Sequence, residues 1–81
     1  MKARITVRPK KGVLDPQGKA IVHSLAQLGY SGVRDIRVGK SFDVEIDAAG
    51  PEDARRALDE ISRKLLANTV IEDFEIEDIR S

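Results

Sequence analysis

The sequence predicts a single α+β domain in which strands and helices alternate, and three observations support this fold class. Residues 2–10 and 33–47 alternate apolar and polar side chains, as strands with one wet face do. Residues 16–28 and the segment that starts at Pro51 carry apolar residues at helical spacing, each with proline at the first helical position. Residues 70–79 alternate again. The predicted order is therefore strand, helix, long strand or strand pair, helix, strand.

The first strand, residues 2–10, has one apolar face and one basic face. If it lies antiparallel to the last strand, Arg4 and Arg8 face acidic side chains across the sheet, an arrangement that stabilises a strand pair modestly. The acidic partners expected there are Glu75 and Glu77. The apolar positions of the first strand are Ala3, Ile5 and Val7.

The first helix has both a start and a stop signal. The Asp15 carboxylate can accept from the free N–H groups of the first turn, and Pro16 is preset for the first helical position. Gly29 supplies a left-handed stop, so the predicted helix spans residues 16–28. Its expected core stripe consists of Ile21, Leu25 and Leu28.

The second helix is predicted to begin at Pro51. Glu52 and Asp53 then lie at its positive N-terminal end, where acidic side chains are favourable. Asn68 is expected to end this helix in the left-handed conformation. The expected core stripe consists of Ala54, Leu58, Ile61 and Leu65.

The alternating run 33–47 decides the architecture, because Gly39 and Lys40 interrupt it. A two-residue hairpin at this point would put apolar and polar side chains on the same face. One long bent strand, which we favour, and a β-hairpin with a three-residue loop both avoid this. Either gives two βαβ halves that resemble a ferredoxin-like sandwich, with the helices on one face of the sheet. In a dimer, halves of different subunits could complete each other.

Composition excludes several classes of protein. The chain has 81 residues, 14 basic and 14 acidic, so no net charge attracts nucleic acid or an anionic membrane. It has no cysteine for disulfides, thiolate metal sites or nucleophilic catalysis. It starts with a strand-like segment, and no apolar run approaches the roughly 20 residues that span a bilayer, so a cytoplasmic protein is expected. A core this small favours a homo-oligomer.

No constellation of catalytic or metal-binding residues is evident. Residues 39–41, Gly-Lys-Ser, match the end of a phosphate-binding loop, but that motif needs a glycine where Arg34 stands and a helix afterwards. His23 is predicted to face solvent, and there is no second histidine. The carboxylates of the last strand are expected to diverge. From its residues the chain is an accessory or interaction domain that has no catalytic residue, metal or cofactor of its own.

Three segments together carry a family resemblance. They are residues 13–18 (Val-Leu-Asp-Pro-Gln-Gly), 36–40 (Ile-Arg-Val-Gly-Lys) and 65–74 (Leu-Leu-Ala-Asn-Thr-Val-Ile-Glu-Asp-Phe). In identity, order and spacing they closely resemble the PurS family, the small subunit of phosphoribosylformylglycinamidine synthase. The likeness covers essentially the whole chain.

The resemblance implies a role in de novo purine biosynthesis, in the step that converts formylglycinamide ribonucleotide, ATP and glutamine to formylglycinamidine ribonucleotide, ADP, phosphate and glutamate. It assigns ATP, magnesium and ribonucleotide binding to a large synthetase subunit, and release of ammonia to a glutaminase subunit. The small subunit is implied to form dimers or dimers of dimers, to bridge those partners and to support ammonia transfer.

Arg37, Lys40 and Thr69 are the predicted partner contacts, because none has a core-packing reason to be in its segment. Asp15 and Asn68 are explained as helix caps, and Gly39 as a backbone requirement. The alternative function is a small-ligand-sensing regulatory α+β domain. Such a domain would respond to purine-pathway metabolites, whereas a bridging subunit would respond to partner proteins.

Overall fold

The computed structural model describes residues 1–81 and confirms the α+β class. In chain order the elements are β1 (Lys2–Pro9), α1 (Pro16–Gln27), β2 (Lys40–Glu45), α2 (Pro51–Ile61), a π-helical turn (Ser62–Leu66) and β3 (Glu72–Arg80). No helix has the length and apolar character needed to cross a membrane.

β1 is the central strand of a three-stranded antiparallel sheet with the order β2-β1-β3. Ile5 lies opposite Phe42 of β2 and Ile76 of β3. Ile5 and Val7 are completely buried and Ala3 is nearly so, as the alternation predicted. The core therefore lies on the inner face of the sheet, centred on β1.

The two halves of the chain have different strand topologies. β2 and β3 run in the same direction, because each is antiparallel to β1, which lies between them. The unit β2–α2–β3 is thus a split βαβ, as in ferredoxin-like folds. In β1–α1–β2 the two strands are antiparallel neighbours, so this half is not a βαβ of that kind within one chain.

The central run forms a strand only over Lys40–Glu45, and residues 33–39 are neither helix nor strand. Neither the long bent strand nor the hairpin is therefore formed within one chain. Val7 of β1 lies opposite Lys40, and β1 ends two residues later at Pro9, which has no N–H to donate, so the residues before Lys40 run past the end of their neighbouring strand. The Val38 backbone N–H instead donates to the Asp15 side chain.

α2 covers the inner face of the sheet. It begins at Pro51 as predicted, and both Ala54 and Leu58 are completely buried. The rest of the predicted stripe is wrong, because Ile61 is 39% exposed and Leu65 is 80% exposed.

The π-helical turn explains this difference. The Ala67 N–H donates to the Ser62 carbonyl at 2.9 Å, five residues back, which widens the last turn of the helix. Ser62 becomes completely buried and Leu66 half-buried. These two residues take the inward positions that the regular helical spacing assigned to Ile61 and Leu65.

α1 lies largely off the sheet. It is capped by Asp15 as predicted, and the chain leaves it through Gly29 at φ +96°. The predicted core stripe is wrong for a single chain, because Ile21 is 40% exposed and Leu28 is 73% exposed. The molecule measures 52 × 25 × 15 Å with a radius of gyration of 16.2 Å, whereas a compact domain of this length has about 12 Å. An apolar helix face is thus left without a partner within the chain.

The turn before β3 differs from the expected helix cap. Asn68 does not adopt the left-handed conformation, so the predicted cap is wrong. Its side-chain oxygen accepts from the Val70 N–H at 3.2 Å, and its carbonyl accepts from the N–H groups of Ile71 and Glu72. Because residues 68–70 form this Asx turn, β3 begins at Glu72, two residues later than predicted.

β3 contains a bulge at Asp78, which has φ +55°. The pairing with β1 is shifted there, and β3 carries one residue more than β1 between two successive pairs. A bulge reverses the alternation of side chains beyond it. Ile79 is two residues after Glu77, so regular alternation would put it on the same face as that acidic residue, but beyond the bulge it packs against the core.

The outer face of the sheet is charged, and β1 and β3 are antiparallel neighbours as expected. Arg4 lies opposite Glu77 as expected, but Arg8 lies opposite Asp73, and Glu75 lies opposite Thr6. The Arg4 Nε donates to Asp43 Oδ1 of β2 at 3.0 Å. Because these groups are exposed, solvent screens them and they add little to stability.

Candidate functional site

Three segments of the chain meet at the C-terminal end of β1, and we call this place the junction (residues 10–18, 36–40 and 68–72). The Lys10 N–H donates to the Ile71 carbonyl at 2.8 Å. The Arg37 Nη2 donates to the Lys10 carbonyl at 2.9 Å. The Asp15 carboxylate accepts from the Val38 N–H at 2.7 Å. The three segments singled out in the sequence thus contribute to one site.

Asp15 uses its two carboxylate oxygens for different purposes. Oδ1 accepts from the Gly18 N–H at 3.1 Å, which caps α1 as predicted. Oδ2 accepts from the Val38 N–H, 23 residues along the chain. The bonds to Val38 and Gly18 lower the pKa of the Asp15 carboxyl below its ordinary value, with a smaller contribution from the Arg37 charge. The ionised form therefore holds α1 and residue 38 together.

Two glycines let the backbone segments of the junction approach each other. A Cβ at Gly18 would lie 1.8 Å from the Ile36 carbonyl oxygen, and a Cβ at Gly39 would lie 2.7 Å from the Val7 carbonyl oxygen. Both distances are shorter than non-bonded contact allows, so a side chain at either position would displace backbone. Gly39, expected to permit a bend, is thus needed for close packing against β1.

The predicted contact residues Arg37, Lys40 and Thr69 are all exposed and all belong to the junction. The Arg37 side chain also donates a hydrogen bond to the Lys10 carbonyl, a structural role that the sequence did not reveal. Lys40 is the first residue of β2, with its Nζ 6.0 Å from the centre of the Phe42 ring. Thr69 lies in the turn before β3. The structure therefore groups the three predicted contacts around one end of β1.

An open hollow of about 650 Å³ lies beside the junction, between α2 and β3. Lys10 and Thr69 contribute to its lining. Both signs of charge are present, and one of the cations, Arg63, is already bonded to Asp59 at 2.9 Å. The charged groups that line it are Lys10, Arg55, Asp59, Arg63, Glu72, Asp73 and Glu75. Such a mixed lining selects neither an anion nor a cation.

Other elements of the sequence have simple structural explanations. The Gly39-Lys40-Ser41 segment continues into a strand and not into a helix, which excludes a phosphate-binding loop. His23 is exposed on α1, as predicted. No group of three or more histidine, cysteine, aspartate or glutamate side chains is arranged to hold a metal ion.

Sequence reasoning missed Lys10, whose backbone bonds to both other segments of the junction, and the second role of Asp15. Patterns of spacing describe neighbours along the chain, whereas these bonds join residues 23 and 27 positions apart. One signal was present. Gly18 lies in the first turn of a helix, where glycine is unfavourable, and this indicates a close backbone approach.

Comparison with known proteins gives a consistent result. The profile of the family described as "PurS: Phosphoribosylformylglycinamidine (FGAM) synthase" matches residues 2–79. The protein named phosphoribosylformylglycinamidine synthase subunit PurS of Mycobacterium leprae is 45% identical over 75 residues, which cover 93% of this chain and 91% of the relative. The protein of the same name from Bacillus subtilis is 42% identical over 76 residues, or 94% and 89% of the two chains.

Solved structures of the same kind share the fold. B. subtilis PurS aligns with a TM-score of 0.85 at 42% identity and covers 94% of each chain. A chain in the structure of PurLQS from Thermotoga maritima aligns with a TM-score of 0.83 at 31% identity, covering 96% of this chain and 95% of that one.

Proposed function

The chain belongs to the PurS family of phosphoribosylformylglycinamidine synthase subunits, and from this membership we propose that it is a noncatalytic assembly subunit of that synthase in de novo purine biosynthesis. The match over nearly the entire chain to relatives with this name carries the proposal. The likeness to a chain of PurLQS supports a place in a multisubunit complex.

In the proposed complex the chemistry belongs to the other subunits. A large synthetase subunit binds ATP, magnesium and the ribonucleotide, and a glutaminase subunit releases ammonia from glutamine. This chain bridges the two in the cytoplasm and supports ammonia transfer, and it binds no cofactor or metal itself. Its junction, held by hydrogen bonds to backbone groups and surrounded by exposed side chains, suits a scaffold that presents a contact surface.

A second copy of the chain is part of the proposal. The apolar face of α1 and the elongated shape support a homodimer or a dimer of dimers. Residues 33–39 follow α1 in the sequence and pair with no strand of the same chain, so they are available to pair with a second copy.

Arg37, Lys40 and Thr69 are proposed to contact the other subunits. Their exposure and their grouping at the junction support this assignment. No observation favours the alternative of a small-ligand-sensing domain, since the hollow beside the junction is open and mixed in charge.

The proposal is tested by mixing the purified chain with the large and glutaminase subunits of the same organism and measuring the intact mass under native conditions. A species that contains all three proteins is expected. Its absence in the presence of nucleotide, magnesium and glutamine would contradict the proposal. A thermal shift of the isolated chain with purine-pathway metabolites, but not with the partner proteins, would favour the sensing domain instead.

A further inference from the structure

Five basic side chains gather at the junction and the adjoining end of β1. The Arg37 guanidinium bonds to the Lys10 carbonyl, and a Cβ at Gly39, the residue before Lys40, would lie 3.5 Å from the Arg8 side chain. None of the five takes part in an ion pair, and the paired cations of the chain lie elsewhere. The unpaired five are Arg8, Lys10, Lys11, Arg37 and Lys40. The paired cations are Lys2, Arg4, Arg56, Arg63 and Lys64.

The distribution of charge along the chain explains why these cations lack partners. Residues 1–40 contain nine lysines and arginines but only two acidic residues, whereas residues 41–81 contain five basic and twelve acidic residues. The chain is therefore neutral as a whole but basic in its first half. The junction draws most of its residues from that half, and its basic side chains form no ion pair within the chain.

The carboxylates nearest to the junction do not cancel its charge. Asp15 accepts from two backbone N–H groups, and Asp35 lines a shallow hollow near Arg37 without forming an ion pair. From β3, Asp73 lies opposite Arg8 in the ladder but forms no ion pair. Glu72 accepts from the Asn68 N–H. Arg37 donates one bond to the Lys10 carbonyl, and the other four basic side chains form no ion pair, so they remain available to an external partner.

Exposed apolar side chains accompany the basic ones. Leu14 is 64% exposed and Val70 is 80% exposed, and both belong to the junction. Arginine beside apolar groups is typical of protein interfaces. A phosphate site would need donors that converge on one point, but the Arg37 guanidinium donates to a carbonyl of its own chain. The composition of the surface therefore fits a protein and not a small anion.

We propose that the junction is a docking surface for a carboxylate-rich surface of another subunit of the synthase. This inference rests on the proposed function and adds to it the chemistry of the partner surface. The lysines supply long-range attraction that speeds association and weakens with salt. Leu14 and Val70 supply the apolar contact that excludes water once the surfaces meet.

The test reverses charge at positions where the lysine side chain forms no hydrogen bond or ion pair. The variant carries Lys11→Glu and Lys40→Glu, and the control carries Lys2→Glu and Arg80→Glu at the opposite end of β1, with the same change in net charge. Affinity for the combined large and glutaminase subunits is measured at about 50 mM and about 500 mM NaCl. The junction variant should bind at least about tenfold more weakly at low salt, and the control within about twofold of the unchanged chain.

The outcomes separate this proposal from the proposed function. Equal affinities for the two variants, or binding of the unchanged chain that does not weaken with salt, would overturn the docking surface and leave the subunit role intact. If the unchanged chain does not bind at all, the subunit role fails and the surface with it. Light scattering supplies a further check, because loss of self-association in the junction variant alone would assign this surface to a second copy and overturn the proposal.

Discussion

Asp15 and Val38 are joined by a hydrogen bond of 2.7 Å from the Val38 backbone N–H to the Asp15 Oδ2. The other carboxylate oxygen caps α1 through the Gly18 N–H at 3.1 Å. A single side chain therefore fixes the start of a helix and also a segment that has no regular secondary structure. Because both oxygens are used, the arrangement depends on a carboxylate with two acceptor atoms.

Replacement of Asp15 by asparagine should loosen the junction at neutral pH. Asparagine replaces one of the two carboxylate oxygens with an NH2 group that donates and does not accept, so in the present geometry either the Gly18 or the Val38 N–H loses its acceptor. The variant is expected to be less stable in urea unfolding at fixed protein concentration, with faster hydrogen exchange at Val38. Unchanged protection of Val38 would contradict this role of Asp15.

The same carboxyl gives a prediction about pH. Its pKa in the folded protein lies below the ordinary value of 3.8, so its contribution to stability is complete above that value and is lost as pH falls through the lowered pKa. The stability difference between the unchanged chain and Asp15→Asn should be constant near neutrality and shrink below about pH 4. Urea unfolding over a series of acidic buffers measures it, and a difference independent of pH would refute the assignment.

Gly18→Ala should destabilise the chain, because the new Cβ would lie 1.8 Å from the Ile36 carbonyl oxygen. Overpacking of this kind costs about 1–3 kcal/mol, and the shift of backbone required here favours the upper part of that range. Gly32→Ala is the matched control, since nothing lies within 4 Å of its Cβ position. Equal unfolding free energies for the two variants would show that α1 and residue 36 do not pack closely.

Ser62→Ala should stabilise the chain. The Ser62 side chain is completely buried, and its hydroxyl has no hydrogen-bond partner. Removal of an unsatisfied buried hydroxyl is expected to raise the unfolding free energy by about 1 kcal/mol. Ser24→Ala, at an exposed position of α1, controls for helix propensity. A clear loss of stability in Ser62→Ala beyond that control would mean that the hydroxyl is bonded.

The apolar face of α1 predicts self-association. Ile21→Glu with Leu28→Glu places two charges on that face and should reduce the sedimentation mass to that of one chain, because a second copy would have to bury them. His23→Glu, at another exposed position of α1, should leave the oligomer intact. An oligomer that survives the double substitution would place the contact elsewhere.

Sequence patterns were sufficient for helices and strands whose packing and capping partners lie within the same chain. The alternation at Ala3, Ile5 and Val7 identified the first strand and its buried face, and Asp15 with Pro16 identified the start of α1. Both signals are local, because a strand face and a helix cap depend on residues within a few positions of each other.

The remaining differences arise where tertiary contacts override local patterns. The π-helical turn at Ser62 and the bulge at Asp78 each change the phase of side chains beyond them, and no pattern in the sequence marks the extra residue. Ile21 and Leu28 do form an apolar stripe on α1, but both side chains are exposed because no other element of the same chain packs against them. Likewise, the exposed residues of the junction that are predicted to be contacts could be named from their segments, whereas the bond from Arg37 to Lys10 could not.

Reconstitution of the synthase tests whether this chain is a noncatalytic subunit that links two enzymatic partners. Formation of formylglycinamidine ribonucleotide is measured with the large and glutaminase subunits, with and without this chain, and with either glutamine or ammonium as the nitrogen source. Synthesis from glutamine should require the chain, whereas ammonium should support synthesis with much less dependence on it. Full activity from glutamine without the chain would show that it is not a required subunit.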